Sequence, residues 1–182
     1  MLHGSKIAIV MCGKLLQPNL VLGKSVLGIT PDLVHQHGLR GLILDVDETL
    51  VPLREMETSA AVRTWFAQLH QEVPIWLVSN NLNEPRIRRI ATSLDVPYFT
   101  GAGKPSRRKL RQAAQAMQLP VEQVAMVGDR LFTDVLAGNR LGMFTILVEP
   151  MVTPMSKPGK YLIRSAEVWL SQILGVTLKS SS

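Results

Sequence analysis

The chain has 182 residues, 46% of them hydrophobic and 19% charged, with a formal net charge of +6. That length and balance fit one globular domain with a sizeable core. No apolar run approaches the roughly 18 residues that a membrane-spanning helix needs, and a single cysteine, Cys12, excludes an internal disulfide or a cysteine-built zinc site. The lone cysteine points to a reducing, cytoplasmic setting. The short apolar run Ile7 to Cys12 lacks a cleavage site, which argues against a signal peptide. The positive charge favours anionic partners, whether nucleic acid, acidic lipid headgroups or phosphorylated substrates, without choosing among them.

Residues 1–40 carry the weakest pattern. Pro18 breaks any long helix between Lys14 and Val26. Thr30-Pro31 reads as an N-cap followed by proline at the first helical position, and Gly38 ends that short helix. The segment is expected either to pack on the domain as a strap or to offer an apolar edge to a membrane surface.

Leu42 to Leu50 is the most informative stretch. Gly41 to Leu44 reads as a fully buried parallel strand, and it ends in two aspartates, Asp45 and Asp47. Alternation along an extended chain points both carboxylates the same way. Two such groups repel unless a cation or a shared proton relieves them. A nucleophilic carboxylate, a second carboxyl handling protons and a divalent metal would use this arrangement.

After a loop over Val51 to Glu57, Thr58 or Ser59 is expected to cap a helix to about Gln71, with Val62, Trp65, Phe66 and Leu69 inward. Val73 to Val78 reads as the second strand, ending in Ser79-Asn80-Asn81. Asn83 caps the next predicted helix, which turns Ile87, Ile90, Ala91 and Leu94 inward and Arg86, Arg88 and Arg89 to the other sides. Val96 to Thr100 is a short third strand, and a helix follows from about Ser106 to Met117, with Lys104 at its start. Val124 to Val127 is the fourth strand, leading into Gly128-Asp129 and Asp134; Phe144 to Val148 is the fifth. A last helix is expected at about Ser165 to Leu174.

Strands alternating with helices predict an α/β, Rossmann-like three-layer sandwich. If the fourth strand returns beside the first, the five-stranded parallel sheet has the order 5-4-1-2-3, and Asp45, Asp47, Asp129 and Asp134 share one crevice at the switch point. Residues 1–182 are read as a single domain: a strap over 1–40, a motif-bearing core over 41–148, and a tail with a helix over 149–182. Four converging aspartates call for a cation, and oxygen-only ligands suit Mg²⁺. Lys104 opposes the helix macrodipole by about 0.3–1 kcal/mol. With Arg107, Arg108 and Lys109 following, the stretch is easier to explain if an anion binds nearby.

Asp45-x-Asp47-x-Thr49, Ser79, Lys104 and Gly128-Asp129-x-x-x-x-Asp134 resemble, in order, the four motifs of the haloacid dehalogenase (HAD) superfamily of phosphotransferases. Ser79-Asn80-Asn81, Leu131-Phe132-Thr133-Asp134 and Leu39-Arg40-Gly41 resemble more narrowly its YqeG-type branch, which includes phosphatidylglycerophosphate phosphatases. The resemblance implies that Asp45 attacks phosphorus and that Asp47 protonates the leaving oxygen and then activates water. It implies Mg²⁺ held by Asp45, the backbone carbonyl of Asp47 and Asp129, with Asp134 in support. Thr49 would shape the loop, Ser79 and Lys104 would hold phosphoryl oxygens, and Asn80 would be a further phosphate contact.

The intervals from Asp47 to Ser79 and from Ser79 to Lys104 have no room for a cap domain. An open site suits a large substrate: a lipid in a membrane, a polynucleotide end or a phosphoprotein. The leading expectation is a Mg²⁺-dependent phosphatase acting on an anionic phospholipid, phosphatidylglycerophosphate, peripheral on an anionic membrane surface. The alternatives are a phosphatase of nucleic-acid ends, phosphoproteins or soluble esters, and a basic RNA- or membrane-binding module without catalysis. Too few aromatics accompany the basic runs for base stacking, so nucleic acid is not the expected partner.

Overall fold

A computed structural model describes residues 13–151, and the helix expected near Ser165 to Leu174 lies outside them. Parallel strands alternate with helices. In chain order they are β1 (Leu20–Val21), α1 (Pro31–Gln36), β2 (Gly41–Leu44), α2 (Ala60–His70), β3 (Ile75–Val78), α3 (Glu84–Leu94), β4 (Tyr98–Phe99), α4 (Arg108–Ala116), β5 (Val124–Gly128), a π-helical turn (Leu131–Val135), α5 (Leu136–Leu141) and β6 (Phe144–Leu147).

The sheet has six strands in the order β1-β6-β5-β2-β3-β4, which corrects the expected five-stranded sheet of order 5-4-1-2-3. The addition is β1, drawn from the N-terminal strap onto the edge beside β6, with Leu20 opposite Ile146. Two residues after a proline carry no readable strand period. What fixes them is a polar clasp: the Thr145 amide donates to Asn19 Oδ1 at 2.8 Å, and the Asn19 amide donates to Thr145 Oγ1 at 3.1 Å. Asn139 Nδ2 donates to the carbonyls of Leu15 and Gln17, both at 2.8 Å, extending the clasp to α5. The described strap is therefore structural. Leu16, Val26, Ile29 and Val34 are buried, and Trp65 Nε1 donates to the Ile29 carbonyl at 2.7 Å.

Alternation along the strands builds two apolar layers. Leu42, Leu44, Ile75, Leu77 and Val127 face α2 and α3 through Val62, Phe66, Leu69, Ile87 and Ile90. Ile43, Val78, Val124 and Met126 face α4 and α5 through Leu110, Ala113, Ala114 and Ala137. With both faces covered, the central strands are apolar on both sides.

The caps follow the sequence closely. Thr30, Ser59 and Asn83 each accept from the amide three residues on, closing α1, α2 and α3. Two local expectations fail. The helix after Lys104 starts at Arg108, so Lys104 sits in the preceding loop. Arg86 does not turn outward with Arg88 and Arg89; it is 3% exposed.

Candidate active site

The site forms where the strand order reverses between β2 and β5. Leu44 lies opposite Val127, so Asp45 and Asp129 leave neighbouring strands close together. The Asp45 amide still donates to the Val127 carbonyl at 2.9 Å, fixing that residue at the sheet's rim. Beyond it the chain folds back tightly. Leu50 and Val51 both donate to the Val46 carbonyl, and Glu48 adopts a φ of 64°. This tight turn presents Asp47 beside Asp45.

Asp134 comes from the π-helical turn after β5 and folds back against Gly128. A Cβ on Gly128 would lie 2.3 Å from Asp134 Oδ2, so only glycine admits this approach. The Arg130 amide donates to the same oxygen at 3.2 Å. Carboxylate oxygens of Asp45, Asp129 and Asp134 lie within 4.8 Å of one another. Lys104 Nζ enters the cluster, 2.6 Å from Asp45 Oδ1 and 2.7 Å from Asp134 Oδ1. Thr49 Oγ1 is 3.5 Å from Asp129 Oδ1.

The electrostatics follow from three carboxylates and one ammonium in a nearly dry crevice. Burial pushes the Asp45 carboxyl up to about 7, opposed by Lys104 and reinforced by Asp134. Burial, then Asp45 and Asp134, push the Asp129 carboxyl up to about 8. For Lys104 burial disfavours the charge, but Asp134 and Asp45 outweigh it and raise its affinity for a proton. Lys104, with Arg130 at 4.0 Å from Asp129, still leaves Asp45 and Asp129 short of positive charge. That deficit, with an all-oxygen donor set, fits a hard divalent cation.

Asn80, expected as a phosphate contact, is bonded here to the Lys104 backbone. Its Oδ1 accepts from the Lys104 amide at 2.7 Å and its Nδ2 donates to the Lys104 carbonyl at 3.0 Å, so it holds the lysine loop in place. Ser79 is buried at the end of β3, and its hydroxyl donates to Asp47 Oδ2 at 3.2 Å. Three residues escaped the sequence reading. Asn81 Nδ2 donates to Asp47 Oδ2 at 3.1 Å, and Arg86 Nη1 pairs with Asp47 Oδ1 at 2.6 Å. Arg130 lies 3.6 Å from Glu48 and 4.0 Å from Asp129. The basic run beyond Lys104 is partly structural: Arg107 donates to the Arg140 carbonyl at 3.0 Å, and Lys109 Nζ sits 4.3 Å from the Phe99 ring centre.

Comparison with known proteins agrees with this geometry. Residues 101–154 match the HAD-hydrolase-like family model. The chain is 34% identical over 131 residues to the probable phosphatase YqeG of Bacillus subtilis, covering 71% of this chain and 76% of that protein. The chain belongs to the haloacid dehalogenase superfamily of hydrolases, among its phosphatases. Its place there is the YqeG-type branch. It is also 28% identical over 145 residues to the chloroplastic phosphatidylglycerophosphate phosphatase 1 of Chlamydomonas reinhardtii, covering 74% of this chain and about half (54%) of that relative. Among solved structures, a haloacid dehalogenase-like hydrolase from Xanthomonas campestris shares the fold with a TM-score of 0.52 at 13% identity, over 75% of this chain and 95% of that one.

Proposed function

We propose that this phosphatase hydrolyses a phosphomonoester through an aspartyl-phosphate on Asp45, with Mg²⁺ at the carboxylate cluster, and that its substrate is phosphatidylglycerophosphate. The observation that carries the chemistry is the buried Asp45 carboxylate, which ends β2 within reach of Lys104, Asp129 and Asp134. Asp45, Asp129 and the Asp47 backbone carbonyl would hold the metal, with Asp134 in support. The chemistry a bound metal would supply there is positive charge to offset that of the phosphoryl oxygens.

Phosphoryl transfer asks mainly for positioning and charge neutralisation, and the chain's own groups are suited to both. Lys104 and Ser79 orient the phosphoryl oxygens. As a carboxylate oxygen of Asp45 bonds to phosphorus, the ester bond breaks and Asp47 gives a proton to the leaving oxygen. Asp47 then takes a proton from water as that water attacks the aspartyl-phosphate. Inorganic phosphate leaves and Asp45 is restored.

The lipid substrate has three supports. The relative from Chlamydomonas reinhardtii is named for that activity. Only α2 and β3 lie between Asp47 and Ser79, and only α3 and β4 between Ser79 and Lys104, so no cap interrupts the crevice there. The loops bordering the crevice expose apolar side chains: Leu53 and Met56 after β2, and Leu82, 85% exposed, after β3. Such tips, on a chain of net charge +6, suit contact with an anionic bilayer. Acyl chains could remain in the membrane while the terminal phosphate enters the site.

The test compares kcat/KM for phosphatidylglycerophosphate in mixed micelles with phosphatidic acid, glycerol 3-phosphate, a 3′-phosphorylated oligonucleotide and a phosphopeptide. A preference for the lipid of tenfold or more, about 1.4 kcal/mol in the transition state, is expected. Faster turnover of the oligonucleotide or the peptide would replace the substrate and leave the chemistry standing.

A further inference from the structure

We propose that Arg86 is the positioning residue for Asp47: it holds one carboxylate oxygen and thereby assigns proton transfer to the other. This rests on the reading of Asp47 as the acid and base of the reaction. Arg86 lies in the first turn of α3, where a cation opposes the helix dipole, and it is 3% exposed. A charged group is rarely placed so against both burial and dipole without specific partners. Its whole guanidinium is engaged. Nη1 donates to Asp47 Oδ1 at 2.6 Å, Nε to the Glu55 carbonyl at 2.8 Å and Nη2 to the Pro52 carbonyl at 3.2 Å. One side chain therefore ties α3 to the loop after β2 and to the carboxylate beside Asp45.

The two oxygens of Asp47 have partners of different kinds. Oδ1 faces a buried ion pair that the rest of the fold locks. Oδ2 faces the Ser79 hydroxyl at 3.2 Å and the Asn81 amide at 3.1 Å. Both of those are uncharged donors at the end of β3, and both can turn to a phosphoryl oxygen when one arrives. Substrate entry then draws the donors off Oδ2 and leaves Oδ1 clamped. Oδ2 becomes the atom that gives its proton to the leaving oxygen and later takes one from water. A planar fork fixes the carboxylate plane as an ammonium cannot.

The leaving group reads this role directly. p-Nitrophenolate departs without a proton, whereas phenolate or an alkoxide needs one. The ratio kcat/KM covers binding and phosphorylation and leaves out hydrolysis of the aspartyl-phosphate, so it reads the acid and not the base. Wild type, Arg86→Met, Arg86→Lys and Asp47→Asn are compared on p-nitrophenyl phosphate and phenyl phosphate with Mg²⁺, with circular dichroism melts to confirm folding. General acid catalysis contributes about 10²–10⁴-fold, so Arg86→Met is expected to lose at least about tenfold more on phenyl phosphate than on p-nitrophenyl phosphate. Arg86→Lys should lie between it and wild type, and it decides the matter if the methionine variant does not fold. Equal losses on the two esters in the folded Arg86 variants, alongside a split in Asp47→Asn, overturn the positioning role and leave Asp47 as the acid. No split in Asp47→Asn overturns both.

Discussion

The raised carboxyls of Asp45 and Asp129 predict a site that responds to both pH and a divalent cation. Burial raises Asp129 from an ordinary 3.8 to about 8. Between those limits the metal-free native state holds a proton that the unfolded chain has released. The native state therefore binds more protons than the unfolded one, and stability falls as pH rises through that window. Asp45, raised to about 7, acts in the same direction. A divalent cation reverses the effect, because it requires the carboxylates deprotonated. In chelator, the melting temperature should be lower at about pH 8.5 than at about pH 6, and Asp129→Asn should flatten that difference. Added Mg²⁺ should stabilise the wild type more at the higher pH. A metal-free melting temperature that rises over this range, in wild type and variant alike, would contradict the assignment. Arg86 belongs to the same scale. Its place in a helix's first turn was a signal in the sequence of the kind that singled out Lys104: a cation set against the dipole. Helical periodicity, which sorts residues only into inward and outward, hid it, because at a helix N-terminus beside a sheet's rim a polar side chain can point into the site.

The elements were legible to the extent that local chemistry dictates them. Apolar runs ending in polar residues identified β2, β3, β5 and β6, and Thr30, Ser59 and Asn83 act as caps because their side chains accept from nearby amides. β1 was not legible, since Leu20 and Val21 become a strand only through the clasp of Asn19 with Thr145, 126 residues away. The Asp134 approach is likewise tertiary. The Gly128-Asp129 pair is visible in the sequence, but the reason for the glycine is the carboxylate folded against it. Gly128→Ala should cost about 1–3 kcal/mol in chemical denaturation and should also depress activity, because Asp134 must move. Gly41→Ala provides the contrast. Its Cβ would meet the tip of the Leu119 side chain at 2.7 Å and the Met117 sulfur at 3.0 Å, groups that can turn aside, so stability should fall less and activity should hold. Equal losses of activity in the two variants would refute the part given to Asp134.

For the whole molecule, the sheet's reversal and the uninterrupted intervals after β2 and β3 make one crevice without a cap, and the proposal that it meets an anionic surface is tested at this scale. Among the described residues no helix is long and apolar enough to cross a membrane. Leu20 and Val21 of the strap lie in the sheet, and beside the crevice Leu53, Met56 and Leu82 are the exposed apolar side chains to test. Leu82→Ser should weaken binding to anionic vesicles in cosedimentation and lower kcat/KM for the lipid, while hydrolysis of p-nitrophenyl phosphate stays as it was. Binding should also fall as salt rises. Unchanged vesicle binding in Leu82→Ser would move the contact elsewhere. Beneath these features lies the chemistry at Asp45, and phosphate release from one phosphomonoester tests it most directly, with wild type and Asp45→Asn each assayed in Mg²⁺ and in chelator. Turnover is predicted only for the wild type in Mg²⁺, with at least about a thousandfold loss in the folded variant, because an amide cannot take the phosphoryl group. Comparable release by Asp45→Asn, or by wild type in excess chelator, would contradict the account.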